Sequence, residues 1–247
     1  MLAFRCALML LTGLIGGALS ATPAAAQIYV MESTVPAIRV GSALELSAAI
    51  SIPAGSQIRA VLPSGKTQTI KGPYEGSVAD LAKGQPVNEG VLASLKTLLR
   101  TGGATQNTTG ATRSITRPAE KPTRVAFSWS AIPVANGTVC VEKGAKLTVI
   151  RPASPNAERA TMIDTTAKNQ AELQWEPGSD TAAWPATLTP RNDGTYDVLS
   201  AGRDPRHITL RVLDRLPNDD NLLIELNRLG CSSQFEAWVR GKLPAGN

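Results

Sequence analysis

The chain has 247 residues, of which 43% are hydrophobic, 18% charged and 4% aromatic, enough apolar material for folded domains but few aromatic anchors. Lys and Arg number 25 against 20 Asp and Glu, and the net charge of +5 is spread along the chain with no block of like charges, so nothing reads as a nucleic-acid stripe. The single histidine, His207, excludes multi-histidine metal centres and leaves any hydrolase triad hanging on one residue.

Residues 1–26 place Arg5 before an apolar run over 7–19, then small residues ending in Ala24-x-Ala26, the pattern of a secretory signal peptide cleaved before Gln27. The rival reading is an uncleaved anchor, but the run is shorter than the roughly 20 residues that cross a bilayer. Export makes the protein periplasmic or secreted, with no stable membrane insertion after cleavage. Cys6 leaves with the signal. The remaining pair, Cys140 and Cys231, is expected to form a disulfide in an oxidising compartment, worth about 4 to 5 kcal/mol on the chain-entropy model. A redox pair is the rival, and the lack of a Cys-x-x-Cys spacing counts against it.

Residues 101–122 are rich in Gly, Thr and Pro and read as a flexible linker. They separate a small N-terminal β-module with one closing helix, residues 27–100, from a C-terminal unit, residues 123–247. In the first module, strands are predicted over 43–52, 57–62 and 67–71, with Pro63-Ser64-Gly65-Lys66 as a hairpin turn. Val91, Leu92, Leu95, Leu98 and Leu99 recur at helical spacing, with Asn88 as cap and Gly102 as stop.

The pattern Gly41-x-x-Leu44, Ile52-Pro-Ala-Gly55-Ser, Ile58-x-Ala-Val-Leu62-x-x-Gly65-Lys and Ile70-x-Gly-Pro73 resembles the short-strand core of FecR-like periplasmic domains. The resemblance implies a β-rich sensing or interaction module exported across the inner membrane.

In the C-terminal unit, strands are predicted over 124–129, 138–142, 146–150, 160–164, 171–175, 186–189, 196–199 and 207–213, a spacing that points to a β-sandwich. Asn192-Asp193-Gly194-Thr195-Tyr196 resembles the tyrosine corner of immunoglobulin-like sandwiches, with Asn192 where Asp is usual, and implies that Tyr196 bonds its own upstream backbone. Val198 stands where true immunoglobulin domains carry their second cysteine, so the resemblance is to the broad sandwich class, and the cysteines here bridge something else. The tail predicts a helical hairpin: Asn218-Asp219-Asp220 as start, Leu222, Leu223, Leu226 and Leu229 on one face, Gly230 as stop, then a capping box of Ser233 and Glu236 opening a helix with Phe235, Trp238 and Val239. The disulfide is expected to pin this tail to the sandwich. The fold class is therefore mainly β with a few helices: a small N-terminal β-module and an immunoglobulin-like sandwich with a helical cap.

Candidate chemistry is sparse. His207 with Asp204 would need a serine that no Gly-x-Ser-x-Gly elbow selects, and the bland reading is a strand-edge histidine. Asn218-Asp219-Asp220-Asn221 offers oxygens to a hard cation without the spacing that wraps one, and helix capping explains it. Trp175 and Trp184 are a candidate platform for sugar rings, against the simpler reading that they pack the core. No phosphate loop occurs, and no cofactor, metal site or catalytic residue is expected. The sequence thus points to an exported, non-enzymatic interaction or adaptor protein whose partner is another exported or envelope protein, with a cell-wall glycan bound by the tryptophans as the alternative and a hydrolase last.

Overall fold

The computed structural model describes residues 27–100 and 125–244. The expected signal peptide, the expected linker and the expected helix stop at Gly102 lie outside the described residues. The described residues are mainly β, with four helices among them.

The chain enters on β1 (Gln27–Ser33), whose Ile28, Tyr29, Val30 and Met31 are all buried. Burial on both faces explains why the segment has no alternation to betray it as a strand. It lies inside a four-stranded antiparallel sheet, between β2 (Ala43–Glu45) and β4 (Gln57–Val61), and β5 (Thr67–Lys71) completes the order β2-β1-β4-β5. The expected strand over 43–52 is two pieces. A turn in which Ala48 N–H donates to Glu45 O at 3.0 Å separates β2 from β3 (Ala49–Ile52), and β3 pairs instead with β6 (Tyr74–Ser77) in a sheet of its own.

The β4–β5 hairpin forms as expected: Leu62 N–H donates to Lys66 O and Gly65 N–H to Leu62 O, both at 2.8 Å. Gly65 has φ +83°, and a Cβ there would come within 3.1 Å of Val91 and Ile224 side chains, so the turn demands glycine twice over. Two helices follow. The short α1 (Val78–Ala82) opens with a reciprocal cap between Ser77 and Asp80. In α2 (Glu89–Arg100), Asn88 Oδ1 accepts from Val91 N–H at 3.2 Å, as its position predicts.

The second half builds a sandwich. A five-stranded sheet runs in the order β11 (Asn169–Trp175), β10 (Glu158–Asp164), β13 (Thr195–Ser200), β14 (Arg206–Leu213), β8 (Gly137–Glu142), and only β14 and β8 are parallel. A three-stranded sheet, β12 (Thr181–Ala183), β9 (Thr148–Ile150), β7 (Ala131–Pro133), faces it. Their shared core holds Ile132, Val149 and Ala182 from one sheet against Met162, Leu173, Trp175, Val198 and Leu210 from the other.

Two expected strands are corrected. Residues 125–128 form no strand; Phe127 and Trp129 pack edge to face at 5.1 Å against the hydrophobic core under the C-terminal helices, and residue 124 lies outside the described residues. Residues 186–189 form a turn, with Leu188 N–H donating to Pro185 O at 3.0 Å, because Pro185 and Pro190 bracket a segment too short to pair while Leu188 is drawn into the core.

The chain ends in α3 (Leu222–Leu229) and α4 (Ser232–Lys242), parted by Gly230 in the left-handed conformation at φ +73°. The expected capping box does not form. Cys231 is the N-cap of α4, so the helix starts two residues earlier than a Ser233 cap would set, and Glu236 pairs with Arg240 in the next turn. Asn218 Oδ1 accepts from Asn221 N–H at 3.0 Å, the local turn that leads into α3.

This hairpin does more than cap the sandwich. Leu222, Leu223, Leu226, Phe235, Trp238 and Val239 form one buried cluster with Tyr29, Met31 and Val61 of the N-terminal sheet, Val91 and Leu95 of α2, and Cys140 of β8. At about 1.5–3 kcal/mol for each fully buried large apolar side chain, this shared core is the main bond between the two halves. Polar contacts reinforce it: Lys242 Nζ to Glu32 Oε1 at 2.5 Å, Arg59 to Asp219 at 3.6 Å, and Thr67 N–H donating to Asp220 O at 2.8 Å. The two ion pairs are partly exposed and contribute little by comparison.

The Cys140–Cys231 disulfide joins β8 to the turn between the two helices, across 91 residues of sequence with Cα atoms 5.7 Å apart, and both sulfurs are fully buried. Beside it Gln234 behaves like a paired strand residue. Its Oε1 accepts from Cys140 N–H at 2.9 Å, and its Nε2 donates to Cys140 O and, at 3.3 Å, to Ser128 O. Gln234→Ala leaves the Cys140 peptide group buried and unpaired, and is expected to cost about 1–3 kcal/mol in urea unfolding with an unchanged m-value.

Candidate interaction surface

The outer face of the five-stranded sheet is divided. In an antiparallel ladder, directly opposed residues share a face. The pairs Arg159↔Gln174, Thr161↔Glu172, Ile163↔Gln170, Thr161↔Leu199, Ile163↔Asp197 and Asp197↔His207 therefore place these nine side-chain positions on one surface. At the β8 end the same face is covered by α4, for Arg211 pairs with Cys140 and Cys140 lies under the helix. At the β10–β11 end it is open. There Leu199 stands 39% exposed over a shallow depression lined by Arg159, Thr161, Gln170, Glu172 and Ala201.

Two cross-strand polar pairs lie on this face. Arg159 meets Glu172 at 3.1 Å, and His207 Nδ1 meets Asp197 Oδ1 at 2.6 Å. His207 is exposed, its backbone N–H taken by Asn136 Oδ1 at 2.8 Å. Its acid is the cross-strand Asp197, an interaction set by strand register, and not the sequence neighbour Asp204. Local reading could not find this partner, because it lies across a hairpin.

The candidate sugar platform is corrected by burial. Trp175 is 1% exposed; its Nε1 donates to Val149 O at 3.3 Å, and the buried Arg151 guanidinium lies 5.0 Å from its ring centroid. Arg151 is held by Pro152 O at 2.7 Å and Glu158 at 3.3 Å. Trp184 is half-buried, with Nε1 donating to Leu188 O at 2.6 Å and its ring edge-on to Tyr196 at 5.0 Å. The Trp175 ring is spent on the core, so it offers no face to a ligand, while Trp184 packs against that core and stays partly exposed.

Tyr196 stands at the sandwich corner, fully buried. Its hydroxyl donates to Thr189 O at 2.8 Å and accepts from Arg191 N–H at 3.2 Å, and burial pushes the phenol above its ordinary value near 10. Gly194 lies against that hydroxyl, where a Cβ would come within 2.9 Å, and Asn192 Oδ1 accepts from Val212 N–H at 3.1 Å. The corner ties the β13–β14 hairpin to the turn before it. Tyr196→Phe removes both hydrogen bonds of the buried hydroxyl, whose partners at Thr189 and Arg191 can reach water, an expected loss of about 0.5–1.5 kcal/mol in thermal or urea unfolding.

Among the described residues, no cluster of three or more His, Cys, Asp and Glu side chains is placed to hold a metal ion, and no helix is long and apolar enough to cross a membrane. Asp219 and Asp220 are engaged with the N-terminal module, Asp219 through Arg59 and Asp220 through its carbonyl to Thr67. Comparison of the sequence with protein-family models and with curated proteins finds no match.

Proposed function

We propose that the protein is an exported, non-enzymatic interaction or adaptor protein that docks another exported or envelope protein on the open end of its five-stranded sheet. The observation that carries this reading is the division of that sheet's outer face: α4 and the disulfide cover one end, while the other presents Leu199 within a ring of Arg159, Thr161, Gln170 and Glu172. The signal-like residues 1–26 and the FecR-like pattern of residues 41–73 support the exported setting.

The test places a photoactivatable crosslinking residue at Leu199 or His207 in the full chain, with Lys71 on β5 as the control position. In cells, the exported fraction should contain mature chain beginning at Gln27, joined to the same protein from both sheet positions and not from Lys71. Retention of the chain in the cytoplasm, or equal crosslinking at all three positions, contradicts the reading.

A further inference from the structure

Every sheet edge carries unpaired backbone groups, and proteins cover or blunt them. Here most edges are short or occupied. On β8, Gln234 takes both groups of Cys140 and Trp129 O accepts from Glu142 N–H at 3.0 Å; on the five-residue β5, Asp220 O takes Thr67 N–H. The edge strands β2, β7 and β12 have three residues each, and β3 and β6 have four.

The exception is β11. It has seven residues, about 23 Å at the usual rise, and among the described residues it pairs on one side only, with β10. Its sequence, Asn-Gln-Ala-Glu-Leu-Gln-Trp, has no Pro, Gly or Lys to discourage pairing. The one charge on the strand, Glu172, is turned along the sheet to Arg159. The strand alternates cleanly: Leu173 and Trp175 face the core, Gln170, Glu172 and Gln174 face outward.

We infer that β11 is a strand-addition site, which takes an extended peptide segment of the partner as a sixth strand of the sheet. The inference rests on the interaction reading above and specifies its mode. The chemistry of the occupant follows from the edge. Main-chain hydrogen bonds supply affinity, and alternate side chains supply selectivity. Residues of the incoming strand on the core side continue the line of Ala171, Leu173 and Trp175 and are apolar; those on the outer side lie beside Gln170, Glu172 and Gln174, with exposed Glu176 just beyond, and are basic.

The same charges disfavour a second copy. An antiparallel pair centred on Glu172 sets that carboxylate opposite itself, and a shift of one side-chain repeat gathers Glu172 and Glu176 of both copies at one seam.

The experiment uses the full mature chain, ¹⁵N-labelled, and a capped seven-residue peptide alternating Val and Lys. Amide shifts and slowed hydrogen exchange confined to residues 169–175, lost when alternate peptide nitrogens are methylated, are the expected result. Replacing the peptide's Lys by Glu should weaken binding about tenfold, and Glu172→Lys should reverse that preference. Binding unaffected by methylation, shifts centred elsewhere, or a dimer whose β11 amides are already protected overturns the proposal. Photocrosslinking in cells separates it from the wider reading. A partner captured through Leu199 but never through Gln174 refutes strand addition and leaves the docking face, whereas capture through neither refutes both.

Discussion

The double variant Cys140→Ala, Cys231→Ala is expected to unfold about 3–5 kcal/mol more easily than the wild-type chain and to melt roughly 10 °C lower or more. Two effects combine. The crosslink spans 91 residues, so its loss returns a large loop entropy to the unfolded state, and two fully buried side chains shrink inside the shared core. Because the turn between α3 and α4 is anchored there, the loss falls on both halves: the hairpin holds Tyr29, Met31 and Val61 as well as β8. The check is urea unfolding of oxidised wild type, reduced wild type and the double variant, followed by tryptophan fluorescence and by exchange in the N-terminal strands. A change below 1 kcal/mol, or one confined to the sandwich, would contradict the hairpin's role as a common core.

Trp175→Ala is expected to cost about 3–5 kcal/mol, the range for removing a large buried aromatic side chain. The indole is packed between the sheets and also caps the buried Arg151, whose Nε and Nη2 have no hydrogen-bond partner, so the substitution leaves a cavity beside a charged group that the ring had covered. Chemical denaturation measures the loss. Retention on purified peptidoglycan gives the opposing test: a Trp175→Ala chain of wild-type stability that no longer binds peptidoglycan would restore the sugar-platform reading that burial argues against.

Much of the fold is legible in local sequence. The β4–β5 hairpin follows from Pro63-Ser64-Gly65-Lys66, α2 from its leucine spacing and Asn88, and the α3–α4 break from Gly230, because turn chemistry and helical periodicity are local properties. The disulfide follows from counting the cysteines that an expected signal would leave, Cys140 and Cys231. What stayed hidden depends on tertiary partners. β1 is buried on both faces and shows no alternation; β7 and β12, at three residues each, are too short to carry a pattern. Residues 186–189 have the side chains of a strand but are folded by the prolines on either side.

The surface was less legible still. Sequence alone drew attention to the tryptophans, the residues a binding site would most value, and the core had taken Trp175 outright and Trp184 in part. The open face of the sheet is made of Thr, Gln, Glu, Arg and one Leu, residue types with no signature outside the register that aligns them. Likewise His207 finds Asp197 only through strand pairing, and Gln234 reads as an ordinary helical glutamine until β8 is placed against it.

The most direct test of the whole arrangement is residue-resolved amide hydrogen exchange on the free, oxidised protein. A body sealed at β8 and open at β11 predicts slow exchange at Cys140, Glu142 and Thr67, whose N–H groups are held by Gln234, Trp129 and Asp220. Along β11 it predicts fast and slow amides in alternation, the slow ones bonded to β10. Uniform protection across residues 169–175, or fast exchange at Cys140, would contradict it.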